Sequence, residues 1–504
     1  MAKQVHLNIP VAHFHNVLSW DKNTIDQLVD KAVDLTVKVG LRLDEDKADI
    51  YLKEAESKGA KIDWNNRAVM FNRKQIEQTI EVMRKTKPVP EPLRPLSVCQ
   101  DGHDTKFDVG NGANLLFDWE MWQARAPEIS DLVNICQWAQ GYDDIHSLFQ
   151  PVMLKDINLY LEPLYSYALM CKYCHKRVSH GQPTEPVHVK YLDKMAHIVE
   201  KHRGYFQPVQ MWEYINPPFR LGLRAIETML ARVDTGVCNE MGIGAMSVSS
   251  MSAPVTVAGA AVTIIGEILA GLTFFRILRP GFGLCPSICS GNIDLRTARV
   301  SYFNMHAHLQ NLAAWELMVR GLGVDSSCLT WYRDANEPGM QALYEYGMAQ
   351  SFFSSVQHHC HPETGGLACG NIFSPEQAVL DIEIIKEFNE LLYGFEVNEE
   401  VLGLEEVVNA RFDQGVHLSS EHTLRYMNNG VPFSDFLFRG MPAGAQHDKQ
   451  KTQTHELMEK ARKFVVRDIK KGARADPDVE LSEELYECVK QAADELGIDA
   501  PTMV

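Results

Sequence analysis

Residues 243–288 read IGAMSVSSMSAPVTVAGAAVTIIGEILAGLTFFRILRPGFGLCPSI. The stretch opens on a short apolar run at 243–249, passes through an apolar helical pattern over 257–278, and closes on a second short run at 281–288. Strand, helix and strand in that order predict a parallel β/α unit. The segment from Ala253 to Leu278 is long enough to suggest a membrane span. It contains Gly259, Gly266, Glu267 and Gly271 and ends at Arg276 and Arg279, so a buried helix is predicted instead.

The same texture extends in both directions. Short runs at 205–211 and 324–331 alternate with helical patterns at 188–201, 221–232, 301–321 and 375–393, one unit in roughly 40 residues. No G-x-G-x-x-G turn follows any of the runs, which favours a closed (β/α)8 TIM barrel over an open dinucleotide-binding sheet. Upstream, an amphipathic helix runs from Asp21 to a stop at Gly40, and a second from about Glu45 ends at Gly59. KIDWNNRAVMF then predicts a short hairpin, and RKQIEQTIEVMRKT a third helix before Pro88. The stretch KPVPEPLRPLSV marks a boundary, giving an N-terminal helical cap over 1–88, a barrel over 89–451 and a charged helical extension over 452–504.

The chain has 504 residues, 45% hydrophobic and 23% charged, the balance of a globular protein with a large core. A net charge of −17 repels phosphate backbones and anionic membranes, so neither nucleic acid nor a membrane is expected as a partner. The first residues, MAKQVHLNIPVAHFHNV, carry no basic start or apolar run of a secretory signal, and a cytoplasmic location is expected. Eleven Cys, an odd number, fit reduced thiols.

Three groups of residues have chemical potential. CKYCH at Cys171 to His175 has the spelling of a haem or metal pair, but it lies in a helical pattern and has no second pair nearby, so two core thiols are expected. QHHCHPETGGLACG places His358, His359, Cys360, His361, Glu363 and Cys369 in a loop before the helix start SPEQ, where a barrel presents its active site. That loop could hold zinc, move a proton or line a cofactor surface. Aromatic residues also cluster near predicted strand ends: Phe117, Trp119 and Trp122; Tyr205, Phe206, Trp212, Tyr214 and Phe219; Trp331 and Tyr332. Converging rings attract a quaternary ammonium, each contributing about 0.5 to 2 kcal/mol. No nucleophile elbow, P-loop, kinase set or H-E-x-x-H appears.

Several segments together resemble the trimethylamine:corrinoid methyltransferase superfamily. They are MSAPVTVAGAAVTIIGEILAGL (251–272), PGFG and NIDLRT (280–297), SPEQAVLDIEI (374–384), and the N-terminal VDLTVKVGLRLDEDKADIYLKEAESKGAKID. The resemblance implies a TIM barrel whose C-terminal mouth receives the corrinoid of a separate small protein and passes it a methyl group from a methylated amine. The corrinoid then comes with the partner, and no permanently bound cofactor and no metal are expected. Founding members carry pyrrolysine where an ungapped match through DANEPGM puts Tyr332. A quaternary amine already carries its charge and expels a neutral tertiary amine, so Tyr332 favours a betaine-type donor.

On this resemblance His359, His361 and Tyr332 are the expected catalytic residues, and Trp331, Tyr332, Trp212, Phe206, Trp119 and Glu267 the substrate-binding ones. Asp294, His358 and Gln357 are expected to face the corrinoid. The chain departs from the family at Gln357–His359, at Phe303 and Asn304, and at Ala368, all near the expected mouth. Two alternatives stay open: a zinc-dependent methyltransferase using the His/Cys loop on a non-quaternary donor, and a non-catalytic methylamine-binding barrel. Self-association into a homo-oligomer is compatible with either.

Overall fold

The computed structural model describes residues 3–5, 20–89, 107–110, 112–209, 212–328, 332–353, 364–393, 395–410, 416–427, 436 and 453–504. At the N-terminal end Asp21 accepts the Thr24 N–H and starts helix α1 (Lys22–Val39). The helix stops at Gly40, whose φ of 70° and whose hydrogen, pressed toward the Val69 carbonyl, admit no side chain. Helix α2 (Asp49–Ser57) and helix α3 (Arg73–Thr86) follow, the latter opened by a reciprocal Asn72/Gln75 capping box. The hairpin between them pairs Lys61–Asp63 with Ala68–Met70. Leu41–Leu43 extends it and pairs in turn with Arg220–Leu221. The cap is therefore three helices around the predicted hairpin, laced to the centre of the chain through Leu41–Leu43.

Among the described residues a series of seven parallel strands follows in order: β1 (Phe107–Val109), β2 (Ile145–Phe149), β3 (Arg177–Ser179), β4 (Trp212–Ile215), β5 (Glu240–Ala245), β6 (Gly283–Ile288) and β7 (Ser327–Cys328). β1, β2 and β3 pair consecutively, as do β4, β5, β6 and β7, and Thr364 bridges Val109 in the parallel sense. Between them run α4 (Ile129–Gly141), α5 (Glu162–Tyr173), α6 (Pro186–Arg203), α7 (Leu223–Asp234), α8 (Val257–Leu278) and α9 (Met305–Glu316), and α10 (Met340–Phe353) follows β7. Then come α11 (Pro375–Tyr393), α12 (Gln453–Gly472) and α13 (Val479–Leu496). The architecture is α/β, with alternating strands and helices as predicted.

Local chemistry moved three expected boundaries. The fourth strand begins at Trp212 and not at Tyr205, because Gly204 ends α6 in the left-handed region and Pro208 interrupts the following run. The ninth helix begins after Asn304, which caps it through the Ala307 N–H, because 299–301 pairs with 291–294 as a hairpin. The CKYCH helix ends at Tyr173, leaving Cys174 extended; both thiols are buried and free.

Among the described residues two large cores fill the molecule, with a small third one around Phe117, Ala335, Ala342, Leu367 and Ile372. One joins α1, α2 and α3 to α8, α9 and strands β4, β5 and β6. The other joins β1, β2 and β3 and helices α4, α5, α6 and α11 to α12 and α13. The cap thus backs one half of the strand set and the C-terminal extension the other. Helix α8 is the described helix apolar and long enough to cross a bilayer, and it is mostly buried inside the protein against α1, α3, α9 and β5.

Candidate active site

The C-terminal ends of β4, β5, β6 and β7 open into one cavity of about 1530 Å³. Its walls are the segments after those strands: 214–217, 246–252, 292–304 and 334–336, with 368–371 from the antiparallel turn Gly366–Leu367/Ile372–Phe373. Ligand sites in parallel β/α proteins occur at this end of the strands.

Alternation along β4 sends Trp212 and Tyr214 to one face and Glu213 and Ile215 to the other. Glu213 faces outward to Arg232 of α7 at 2.9 Å. Parallel pairing puts Gly242 and Gly244 of β5 beside Trp212 and Tyr214, and a Cβ on either glycine would lie 2.6 and 2.5 Å from the neighbouring ring. The glycines therefore let both rings lie flat over the sheet. Tyr214 reaches the cavity, while Trp212 sits one layer below and is outside its lining.

The second aromatic wall belongs to the hairpin after β6. Tyr302 and Phe303 line the cavity. Behind them Tyr332 lies against Tyr302, with ring centres 5.6 Å apart, and buried His308 meets the Phe303 ring edge-on at 5.0 Å. Burial lowers the His308 pKa to about 4, so at neutral pH it is an uncharged backing for the wall.

Asp334 ties this wall to the next loop. Its Oδ1 accepts the Tyr302 N–H at 3.1 Å and lies 3.7 Å from the Cys369 Sγ. Burial, then the Asp334 charge, push the Cys369 thiol up to about 12, which keeps it protonated. The segment from Tyr332 to Ala335 is clamped from behind. Arg333 forms a buried two-armed pair with Asp381 of α11, at 2.9 and 2.6 Å, and Glu345 accepts the Asp334 and Ala335 N–H groups.

Several expected site residues fall elsewhere. Phe206 packs on His197 of α6 at 4.9 Å, before β4 begins, and is not part of the cavity. Trp119 sits in the 115–125 hairpin against Trp122 at 5.2 Å, and Trp122 donates to Glu337 at 3.0 Å, so this pair borders the 334–336 loop without lining the cavity. Glu267 is fully buried on α8 and does not face the cavity. It accepts the Phe219 N–H at 3.0 Å and the Ser247 hydroxyl at 2.5 Å, bracketing two cavity loops from outside. Burial raises its pKa to about 7. Asp294 lines the cavity mouth and is held ionised by Arg296, with its pKa lowered to about 2. Trp331, Gln357, His358, His359 and His361 lie outside the described residues.

Tyr302 and Asp334 were absent from the sequence-based site. Asp334 stands two residues beyond Tyr332, and Tyr302 next to the Phe303–Asn304 departure, so proximity to both was the available signal.

The sequence model of the trimethylamine methyltransferase (MTTB) family matches residues 1–497. Trimethylamine methyltransferase MttB1 of Methanosarcina acetivorans is 26% identical over 286 residues, 56% of each chain. MttB of Methanosarcina barkeri is 24% identical over 286 residues, again 56% of each. The matches thus span a little over half the length of these curated relatives. Among solved structures, the monomethylamine methyltransferase MtmB of Methanosarcina barkeri aligns over 92% of this chain and 93% of its own, with a TM-score of 0.45 and 10% identity.

Proposed function

The chain belongs to the trimethylamine methyltransferase family, and from that premise we propose that its cavity binds a betaine-type quaternary amine and presents one N-methyl group to Co(I) of a small corrinoid protein. The aromatic wall carries the proposal: Tyr214 and Tyr302 line the cavity and Tyr332 backs Tyr302. Tyrosine faces attract a cation that has no N–H to donate, and Asp334 adds negative charge beside them. Arg299 lines the same cavity and forms no ion pair among the described residues, which suits the carboxylate of a zwitterionic donor.

In this account the seven parallel strands and the segment at Thr364, which bridges Val109, close as a (β/α)8 barrel, and the protein works in the cytoplasm. The corrinoid would be a methyl acceptor delivered by its own protein, and when bound it would supply the nucleophile. As the new bond to the methyl carbon forms, the C–N electron pair stays on nitrogen and a neutral tertiary amine leaves. No protein acid is required for that departure. The protein's task is to hold the ammonium against the rings, strip its water and aim one methyl outward. Neutral His308 and protonated Cys369 add no charge that would compete with the cation.

Isothermal titration with glycine betaine and with its uncharged-centre isostere 3,3-dimethylbutanoate tests the cation-binding step. At least tenfold tighter binding of the betaine is expected. Equal affinity would remove the aromatic wall from recognition.

A further inference from the structure

The opposite ends of the strands hold a second cavity, of about 530 Å³, lined by His146, His175, Arg177, Arg203, Tyr205 and Asp478. Parallel pairing of Ser147 with Arg177 sets His146 and Arg177 at the starting edge of β2 and β3, away from the mouth. Arg203 is accounted for by the fold. It is the last residue of α6, donates to the Cys174 carbonyl at 2.8 Å and pairs with Asp478 at 3.0 Å. Arg177 has no such account. Its guanidinium lies 5.5 Å over the Tyr205 ring, and among the described residues it meets no carboxylate. Its contact with the Phe206 carbonyl, at 3.5 Å, is at the limit of a hydrogen bond.

The platform beneath Arg177 is built. Tyr205 is fixed because its Oη accepts the Val178 N–H at 2.9 Å, and the loop before Arg177 is held by the His175 N–H donating to Gln140 at 2.8 Å. Two guanidinium groups and two imidazoles against one carboxylate make a net-basic pocket on a chain of net charge −17. Helix-end compensation explains basic residues at the end of α6, but His146 and Arg177 are on strands. A stacked guanidinium with free fork donors beside imidazoles suits a tetrahedral oxyanion.

We propose that this pocket binds a phosphate-type oxyanion, free or as the head of a small phosphomonoester, with Arg177 as the two-armed donor. The site is independent of methyl transfer at the mouth. Calorimetric titration of the full chain with inorganic phosphate, glycerol 3-phosphate and malonate tests it, alongside Arg177→Gln. Saturable binding of phosphate or glycerol 3-phosphate, weakened at least tenfold in R177Q, is expected; the tighter of the two ligands identifies the source. Arg177 is exposed and forms no ion pair among the described residues, so R177Q should keep the wild-type circular dichroism. Absence of binding by both phosphates, unchanged affinity in R177Q, or malonate binding as tightly as either would overturn the proposal.

Discussion

Tyr302 and Tyr332 form one unit, a ring facing the cavity and a ring behind it. Removing the front ring deletes a direct face toward the cation, while removing the rear ring only loosens the front one. Tyr302→Ala should raise the betaine KM about 5- to 30-fold, the size of a partly desolvated cation–π contact of about 1 to 2 kcal/mol. Tyr332→Ala should raise it less, with both folds intact by circular dichroism, and steady-state kinetics on the two variants reads the order. A larger effect at Tyr332 would put that residue in front. The sequence marked Tyr332 through its family-like surroundings but not Tyr302, because a tyrosine in a hairpin has no spacing that separates a cavity ring from a packing ring.

Glu267 carries a pH signature. Its carboxyl has a folded-state pKa near 7, above the ordinary 4.5, because burial penalises the charge. The folded chain therefore holds a proton that the unfolded chain has released, and this contribution to stability declines as pH rises from about 4.5 through 7. Glu267→Gln, which keeps the shape and cannot ionise, removes that decline. Denaturant unfolding at pH 5 and pH 8 should show the variant gaining on the wild type at the higher pH. A constant difference across the range would show that Glu267 titrates normally.

Among elements, the segment after β7 is held by a charge pair that the chain cannot easily replace. Arg333 and Asp381 are 1% and 0% exposed, and Asp381 also accepts the Gly365 N–H at 2.7 Å, so one carboxylate joins two cavity loops. Asp381→Asn leaves a buried guanidinium without its counter-charge. A loss of about 3 to 5 kcal/mol is expected, measured as a fall in the denaturation midpoint with little change in slope. The element order was legible from residues such as Gly40, Gly59 and Gly204, which end their helices in a positive-φ conformation. Long-range pairs such as Arg333 with Asp381 and Glu267 with Ser247 were not legible, since they depend on which loops the strand ends bring together. The displaced fourth strand has the same origin: 205–211 is apolar enough to pair, yet Pro208 and the Gly204 cap leave 205–209 as a connection.

At the scale of the whole molecule, the two appended layers complete the cores at each side of the strand set. The extension meets the strand-and-helix body where α12 crosses α4, and there Gly141 and Gly472 face each other. A Cβ on Gly472 would lie 1.8 Å from the Gln137 carbonyl, and one on Gly141 1.9 Å from that of Asp468. Gly472→Ala should therefore force the helices apart, at about 1 to 3 kcal/mol, and lower the thermal midpoint; an unchanged midpoint would mean that the crossing is loose. Such a crossing is invisible in the sequence, where Gly472 resembles any helix-ending glycine.

One assay reaches the proposed chemistry at the mouth directly. The purified chain is mixed anaerobically with free Co(I) cobalamin and, in turn, glycine betaine, proline betaine, carnitine, choline, trimethylamine and methanol, and methylation of cobalamin is followed by absorbance with metal content measured on the same sample. Methyl transfer from a quaternary amine, and not from trimethylamine or methanol, by protein without zinc is the predicted result. Transfer from methanol or trimethylamine alone, or activity that tracks bound zinc, would contradict it.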